Sequence, residues 1–251
     1  MPNEVKIVIL AGGKGTRMKS EEPKALLLYK GKPFIQHVLD KVFDLGLKTK
    51  PIIVVGYKKE RIKEALGKDF EYAEQALQLG TGHAVLSAKN AIGKDCKTIL
   101  VLSVDQLEVS KNTIQKILDV HQKNNPVITI GTIVVPDFND WRIGMYKHFG
   151  RIIRKDDGTV QKNVEFKDAN EKEKNVKELN MALYAFDSNW LWKNINKIEN
   201  KNAQGEYYLT DLIQIASEQN KKIEAVPTLN IVEAIHPNSK EELEILEKLA
   251  L

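Results

Sequence analysis

Short unbroken apolar runs alternate along this chain with segments whose apolar residues recur every three or four positions. The runs Val5 to Leu10, Ile52 to Val55 and Ile99 to Leu102 have the length and β-branched content of buried strands. Between and after them, Pro33 to Leu45, Lys59 to Leu66 and Gly82 to Ala91 carry helical periodicity. A strand that is apolar on both faces needs cover above and below. The alternation therefore predicts an α/β fold, a mixed and mostly parallel sheet flanked by helices. In open sheets of this kind ligands sit beyond the carboxyl ends of the strands, so the loops that follow the strands are where a site belongs.

The second half is less regular. Strands are predicted over Val127 to Val134, Arg151 to Ile153, Val176 to Phe186 and Ile223 to Val226, and helices around Trp190 to Ile195 and Leu209 to Ala216. A last helix, Ser239 to Leu249, turns its leucines and isoleucine inward and its charges to water. Lys167 to Lys177 is charged enough to read as a mobile loop with almost nothing to bury. Pro136 to Gly150 is aromatic-rich without a clear period, and a lid over a substrate and a packed excursion both stay open. No repeat, low-complexity tract or interdomain linker interrupts the chain, which reads as a single domain over 1–251.

At 251 residues and 42% hydrophobic, the chain has material for a substantial core. No apolar stretch approaches the roughly 20 residues that span a bilayer, and the first residues lack the layout of a secretion signal. A soluble, cytoplasmic protein with no membrane partner is expected. Cys96 is the single cysteine, which excludes an internal disulfide and a thiolate cluster, and it reads as a small packed side chain. The net charge is +4, but 38 basic residues are interleaved with 34 acidic ones rather than gathered in a stripe. Nucleic acid is therefore not an expected partner.

Three segments carry chemistry. The first strand runs into Leu10-Ala11-Gly12-Gly13-Lys14-Gly15-Thr16-Arg17-Met18, followed after four residues by Pro23-Lys24. A buried strand that breaks into glycines, a hydroxyl and cations offers backbone N–H groups and positive charge to a polyphosphate. It is not a P-loop, since Gly15 follows Lys14 where Ser or Thr is required, nor a dinucleotide fingerprint, since Met18 stands at the third small position. The second segment is Gln75 to Ala84. Gly80 and Gly82 permit close approach of a flat ligand, Thr81 can cap the following helix, and Gln75 can donate to and accept from a base edge at once. The third is Asn202-Ala203-Gln204-Gly205-Glu206-Tyr207-Tyr208-Leu209-Thr210-Asp211.

Together these resemble the sugar-nucleotide pyrophosphorylases, whose signature is L-A-x-G-x-G-T-R-M, a short spacer and P-K. The nearest likeness is to the uridyltransferase domain of bacterial N-acetylglucosamine-1-phosphate uridyltransferases, where Q-x-x-x-x-G-T-G-H-A contacts uracil and N-A-Q-G-E-Y-Y-x-T-D recurs. The resemblance runs from about Val5 to the C-terminus. It implies a Rossmann-like nucleotide-diphospho-sugar transferase fold, with a nucleotide half over about 1–110 and a sugar-phosphate half over about 111–251. It implies condensation of UTP with N-acetylglucosamine 1-phosphate to UDP-N-acetylglucosamine and pyrophosphate. On this likeness Leu10, Ala11, Gly12, Gly13, Gly15 and Thr16 cradle phosphates, and Gln75, Gly80 and Thr81 read the base. Arg17 faces the leaving phosphates and Lys24 the reacting ones. Softer matches at Phe149-Gly150-Arg151-Ile152, Glu165 to Ala169 and Glu178-Leu179-Asn180 imply that Gly150, Glu165 and Asn180, with Tyr208 and Thr210, hold the sugar. The linked acetyltransferase of those proteins is a β-helix of hexapeptide repeats. None occurs in this sequence, so no β-helix domain and no acetyl transfer are expected.

A divalent ion, Mg2+, is implied with Asp105 as ligand, because that carboxylate follows the strand ending near Leu102; capping of a helix that begins near Ser110 is the alternative. Here the chain departs from the pattern. Val104 and Leu107 replace a glycine and a proline, and Val232-Glu233-Ala234-Ile235-His236 replaces V-E-G-V-N. His236 as a ligand favours Mn2+, Co2+ or Zn2+; as a space filler it binds nothing. Met181 and Ala182 replace threonine and glycine, which is expected to add bulk beside the sugar. Two alternatives follow: pyrimidine nucleotidyl transfer to a different hexose 1-phosphate, and a nucleotide-sugar binding protein that has lost catalysis.

Overall fold

The computed structural model describes residues 4–93, 95–139 and 144–250. Among these, eleven strands are β1 Val5–Leu10, β2 Leu28–Tyr29, β3 Lys32–Pro33, β4 Ile52–Val55, β5 Glu71–Glu74, β6 Thr98–Ser103, β7 Ile128–Val134, β8 Arg151–Arg154, β9 Val160–Val164, β10 Glu178–Asp187 and β11 Ile223–Pro227. The helices are α1 Phe34–Asp44, α2 Lys59–Leu66, α3 Thr81–Ser87, α4 Lys111–Asn124, α5 Glu171–Lys174, α6 Ser188–Asn194, α7 Asp211–Glu218 and α8 Lys240–Leu249. Nine strands form one sheet in the order β11-β7-β10-β6-β1-β4-β5, with β8 joined to β10 and β9 to β8. Along that path β10 alone runs against its neighbours. The sheet is mixed and mostly parallel, as the alternation of runs and periodic segments predicts.

Period-two alternation divides the core. Ile7 and Ile9 of β1 and Leu100 and Leu102 of β6 point to one side, under α1 and α4, while Val8, Ile99 and Val101 point to the other, under α3, α6 and α7. Burying both faces of the central strands fixes their register, because a slip of one residue would exchange the two cores. Ser110 caps α4 by accepting from the Thr113 N–H at 3.1 Å, which leaves Asp105 free of that duty. Cys96 is buried, and burial pushes its thiol up. Among the described residues no helix is long and apolar enough to cross a membrane.

Two expectations change, and two strands were not foreseen. The segment Lys167 to Lys177 contains α5, whose Asn170 and Glu173 form a reciprocal capping box. Charge alone concealed that cap. The helix expected over Gly82 to Ala91 ends at Ser87 and resumes as a 3-10 turn, Lys89–Ala91. The edge strands β5 and β9 carry too few apolar residues to be read from periodicity.

Candidate active site

Two cavities open beyond the carboxyl ends of β1 and β6, one of about 400 Å3 and one of about 330 Å3. Leu10, Thr81, Ser103, Asp105, Glu206 and Asn238 line both, so the cavities meet along a shared wall. Every residue singled out for the nucleotide borders the first cavity except Ala11, which is buried behind it; Gly150, Glu165, Asn180, Tyr208, Thr210 and His236 border the second.

The glycine loop is held by its main chain. The Ala11 N–H donates to Val54 O at 2.9 Å and Gly12 O accepts from the Tyr57 N–H at 3.0 Å. Buried Met18 anchors the 3-10 turn Thr16–Met18, leaving Arg17 exposed at the cavity mouth. The spacer before Lys24 is pinned to α2, with Arg61 on Glu22 at 2.9 Å and Lys58 on Glu21 at 3.4 Å. The second and third motifs interlock. Gly82 N–H donates to Tyr207 O at 2.8 Å, Tyr207 N–H donates to Leu79 O at 2.8 Å, and Leu209 N–H donates to Thr81 Oγ1 at 3.0 Å. Thr81 thus bridges two segments instead of capping α3; the N-cap is Gly80. At Gly80 φ is +110°, and a Cβ would lie 2.7 Å from Tyr207 O, so only glycine fits. Gln75 differs from expectation too. Its amide nitrogen donates to Gly80 O at 3.0 Å and lies 3.2 Å from His83 Nδ1, which leaves the amide oxygen to meet a base.

Where the cavities meet, Lys24 Nζ lies 2.5 Å from Asp105 Oδ2 and donates to Asn238 Oδ1 at 2.8 Å. Burial works against the Asp105 charge, but Lys24 outweighs it and holds the carboxyl below its ordinary value. His236 is buried against the stacked Phe149 ring, 5.6 Å away, and its Nε2 has no hydrogen-bond partner. Burial lowers its pKa to about 4, so at neutral pH it is an uncharged imidazole beside a carboxylate. Asn238 was not anticipated from the sequence, and only its place two residues after His236 hinted at it. Among the described residues no three His, Cys, Asp or Glu side chains gather as a cation cage.

The acceptor side is a network of side chains. Asn180 Oδ1 accepts from the Ala182 N–H at 2.9 Å and from Tyr184 OH at 3.0 Å, while its nitrogen donates to Asn163 Oδ1 at 3.1 Å. Asn163 and Thr210 both donate to Glu165 Oε1, at 2.8 and 3.2 Å. Burial pushes the Glu165 carboxyl up, and that of Asp211 rises to about 6 through burial and the nearby Glu165 and Asp168. A Cβ on Gly150 would strike Asn163 Oδ1 at 2.4 Å, so this glycine admits the network. Fully buried Arg151 donates to the carbonyls of Lys147, Phe149 and Lys174 and lies between the Phe138 and Phe166 rings, fixing the wall that carries His148 to Gly150. In the aromatic stretch Pro136 to Gly150, Tyr146 is buried and Phe138 and Phe149 are half-buried against the core, while Lys147 and His148 are exposed; its residues 140–143 lie outside the described residues. Of the two residues expected to add bulk at the site, Met181 has its side chain in the core on the far side of β10, and only Ala182 borders the second cavity. Val104 likewise packs into the core while bordering the first cavity.

Residues 6–230 match the family model described as nucleotidyl transferase. The chain is 40% identical over 233 residues to the bifunctional protein GlmU of Exiguobacterium sibiricum, covering 93% of this chain and 50% of that protein. It is 42% identical over 242 residues to GlmU of Geobacillus sp., covering 96% and 51%. The chain thus spans about half the length of these relatives. Against GlmU of Desulfotalea psychrophila it is 37% identical over 247 residues, 98% of this chain and 70% of that one. A crystal structure of UDP-glucose pyrophosphorylase complexed with UDP-glucose superposes with a TM-score of 0.77 over 98% of both chains at 17% identity, which shows a shared fold. With its family model matched from β1 into the loop after β11, this chain belongs to the nucleotidyl transferase family.

Proposed function

We propose that this protein transfers a uridylyl group from UTP to N-acetylglucosamine 1-phosphate, releasing pyrophosphate and forming UDP-N-acetylglucosamine. The observation that carries this reading is the meeting of the two cavities at Asp105, with Lys24 of the first cavity paired to it, between a pocket lined by the glycine loop and one lined by Glu165, Asn180 and Thr210. The GlmU relatives support the choice of substrates. In this reading the nucleotide half supplies the glycine loop and the base-reading Gln75, and the sugar half supplies Glu165, Asn180 and Thr210.

The chemistry asks for alignment more than for proton transfer. A sugar 1-phosphate has a second pKa of about 6, so its oxygen is already anionic at neutral pH. That oxygen forms a bond to the α-phosphorus while the bond to the bridging oxygen breaks, and the electron pair leaves with pyrophosphate. Arg17 and Lys14 at the mouth of the first cavity neutralise the departing phosphates. Lys24, at the junction, draws the α-phosphate and the acceptor phosphate together, a role in which correct placement is worth several powers of ten.

Members of the family generally use a divalent metal. The residues here fit one: Asp105 supplies a charged oxygen, Asn238 a neutral oxygen and His236 a buried nitrogen without a partner. Bound there, the ion would add positive charge beside the reacting phosphates. A donor set with an imidazole favours Mn2+, Co2+ or Zn2+ more than an all-oxygen set does, whereas Mg2+ suits Asp105 and Asn238 alone.

The Ala182 methyl on the acceptor cavity favours a second reading, transfer to a different hexose 1-phosphate. Pyrophosphate release is to be measured with UTP against N-acetylglucosamine, glucose and galactose 1-phosphates under Mg2+ and under Mn2+. Fastest turnover with N-acetylglucosamine 1-phosphate is expected. UTP binding by calorimetry with no turnover for any acceptor under either ion overturns both readings in favour of a binding protein.

A further inference from the structure

Antiparallel pairing of β10 with β6 runs from Asp187 opposite Thr98 to Tyr184 opposite Val101 and then stops. Continued, it would place Ala182 opposite Ser103. It cannot continue, because β10 bulges between Asn180 and Tyr184, where its register with β7 shifts and Ala182 takes φ +54°. Asn180 and Ala182 at the bulge border the acceptor cavity, as Tyr184 does, and the end of the ladder leaves Ser103 N–H and Met181 O without strand partners. Two unpaired backbone groups at this depth would be costly.

One side chain satisfies both. Gln106 is fully buried; its Oε1 accepts from Ser103 N–H at 2.8 Å and its Nε2 donates to Met181 O at 2.9 Å. The amide stands in for a peptide group of the missing ladder. Gln106 also belongs to the turn that presents Asp105: its own N–H donates to Ser103 O at 3.2 Å, and Leu107 N–H donates to Asp105 O at 2.9 Å. On the far side of the bulge Met181 is flanked by Asn180, whose side chain leads through Asn163 to Glu165 and Thr210. Hydrogen bonds, joined through the Asn180–Met181 backbone, therefore connect the Asp105 turn to the acceptor cavity, and Gln106 is the link between the two strands beyond their paired stretch.

We propose that Gln106 is a positioning residue that holds the Asp105 turn in register with the acceptor-binding bulge, so that the carboxylate and the incoming sugar phosphate are aligned through one amide. This rests on the uridylyl-transfer reading of the two cavities. Gln106 touches neither substrate; it acts through Asp105 on one side and Asn180 on the other. The glycine loop has its own supports in β4 and α2, and it meets this set of bonds only where Val104 N–H donates to Leu10 O at 3.1 Å and Lys24 pairs with Asp105.

Two variants test it. Gln106→Met keeps the length and removes both bonds; Gln106→Glu keeps the acceptor toward Ser103 and sets an oxygen against Met181 O. With rates normalised to folded protein, KM for the sugar phosphate rises about 10-fold and kcat falls about 10-fold, while KM for UTP stays within about 2-fold. Parallel changes in both KM values, or normal constants in whatever fraction folds, overturn the proposal. Hydrogen exchange supplies a readout independent of turnover. Asn180→Ala, which loosens the bulge, should speed exchange over residues 103–107 in the wild-type background and not in Gln106→Met. Equal effects in the two backgrounds overturn the coupling. If the wild type shows no turnover with any acceptor, the functional reading fails on that result, and the exchange comparison still decides whether Gln106 couples the two strands.

Discussion

The two cavities are built from different materials. The nucleotide side is mostly main chain: glycines of one loop, an Ala11 N–H tied to β4 and a Gly12 carbonyl tied to Tyr57, and a second glycine motif laced to residues 207–209. The acceptor side is mostly side chain, with Asn163, Glu165, Asn180 and Thr210 drawn from segments far apart in the sequence and bonded to one another. A main-chain site tolerates side-chain exchange but not an added Cβ. A side-chain network changes with any single member. On the proposed function, the group common to all nucleoside triphosphates falls to the part that varies least easily, and the choice of sugar to the part that varies most easily.

Lys24 borders the first cavity and is bonded to Asp105 and Asn238, which line both, so its loss should have the largest effect. Lys24→Met is expected to lower the rate of pyrophosphate release by about 100- to 1,000-fold, the scale of removing one transition-state donor. It also leaves Asp105 as a buried charge without its partner, a destabilisation of about 3 kcal/mol that thermal unfolding would register. A variant that loses UTP affinity alone would assign Lys24 to the nucleotide side and remove the junction.

Gly80→Ala strikes the main-chain side. The methyl would meet the Tyr207 backbone, and φ +110° is foreign to alanine, so a cost of about 2–3 kcal/mol is expected. Melting should fall by about 5–10 °C, and UTP binding should weaken by calorimetry. A side-chain substitution at exposed Arg17 should leave the melting point in place. Equal melting losses at the two positions would contradict the contrast between backbone and side chain.

The same contrast governs what the sequence disclosed. β1, β4, β6 and α2 follow from hydrophobic pattern alone, because strands covered on both faces must be continuously apolar. The glycine loop and Gln75 were legible because backbone-built sites need contiguous residues of restricted type. The engaged amide of Gln75 was not legible because it depends on how the turn to Gly80 and His83 folds back, and the bridging role of Thr81 because its partner lies 128 residues away; the inward side of Met181 follows from its period-two place with Leu179 and Leu183 in the core. Asn238 and Gln106 form no motif, and only their neighbours in space give them meaning.

On the acceptor side, Asp211 offers a pH-dependent test. Its carboxyl pKa is raised to about 6 from an ordinary 3.8, so the folded protein keeps a proton that the unfolded chain has released. That stabilisation is complete below about pH 3.8 and is lost as pH rises through 6. Asp211→Asn should therefore match the wild type near pH 4 and exceed it above pH 6. The group is part exposed and sits in the first turn of α7, where an anion is favoured, so the gain is at most about 1 kcal/mol. Melting curves at pH 4 and pH 8 measure it. A wild type more stable than the variant at pH 8 would show that the charge at the helix start outweighs the burial of the Asp211 carboxyl and the nearby Glu165 and Asp168 charges.

The smallest expected change is the most discriminating. Ala182 holds φ +54° on the bulge that Asn180 stabilises, a conformation that costs a non-glycine residue about 1–2 kcal/mol. Glycine removes that strain and forfeits about 0.5–1 kcal/mol in chain entropy. Ala182→Gly should then gain about 0.5 kcal/mol, or 1–2 °C in melting. It also withdraws one methyl from the acceptor cavity, and one methyl in a pocket alters discrimination between substrates by about 10-fold or somewhat more. The ratio of kcat/KM for N-acetylglucosamine 1-phosphate over glucose 1-phosphate should rise, because the bulkier acceptor gains the room, while KM for UTP stays fixed. A shift in KM for UTP equal to the shift for the sugar phosphate would mean that the bulge governs both cavities, and that the division between a backbone-built and a side-chain-built half does not hold.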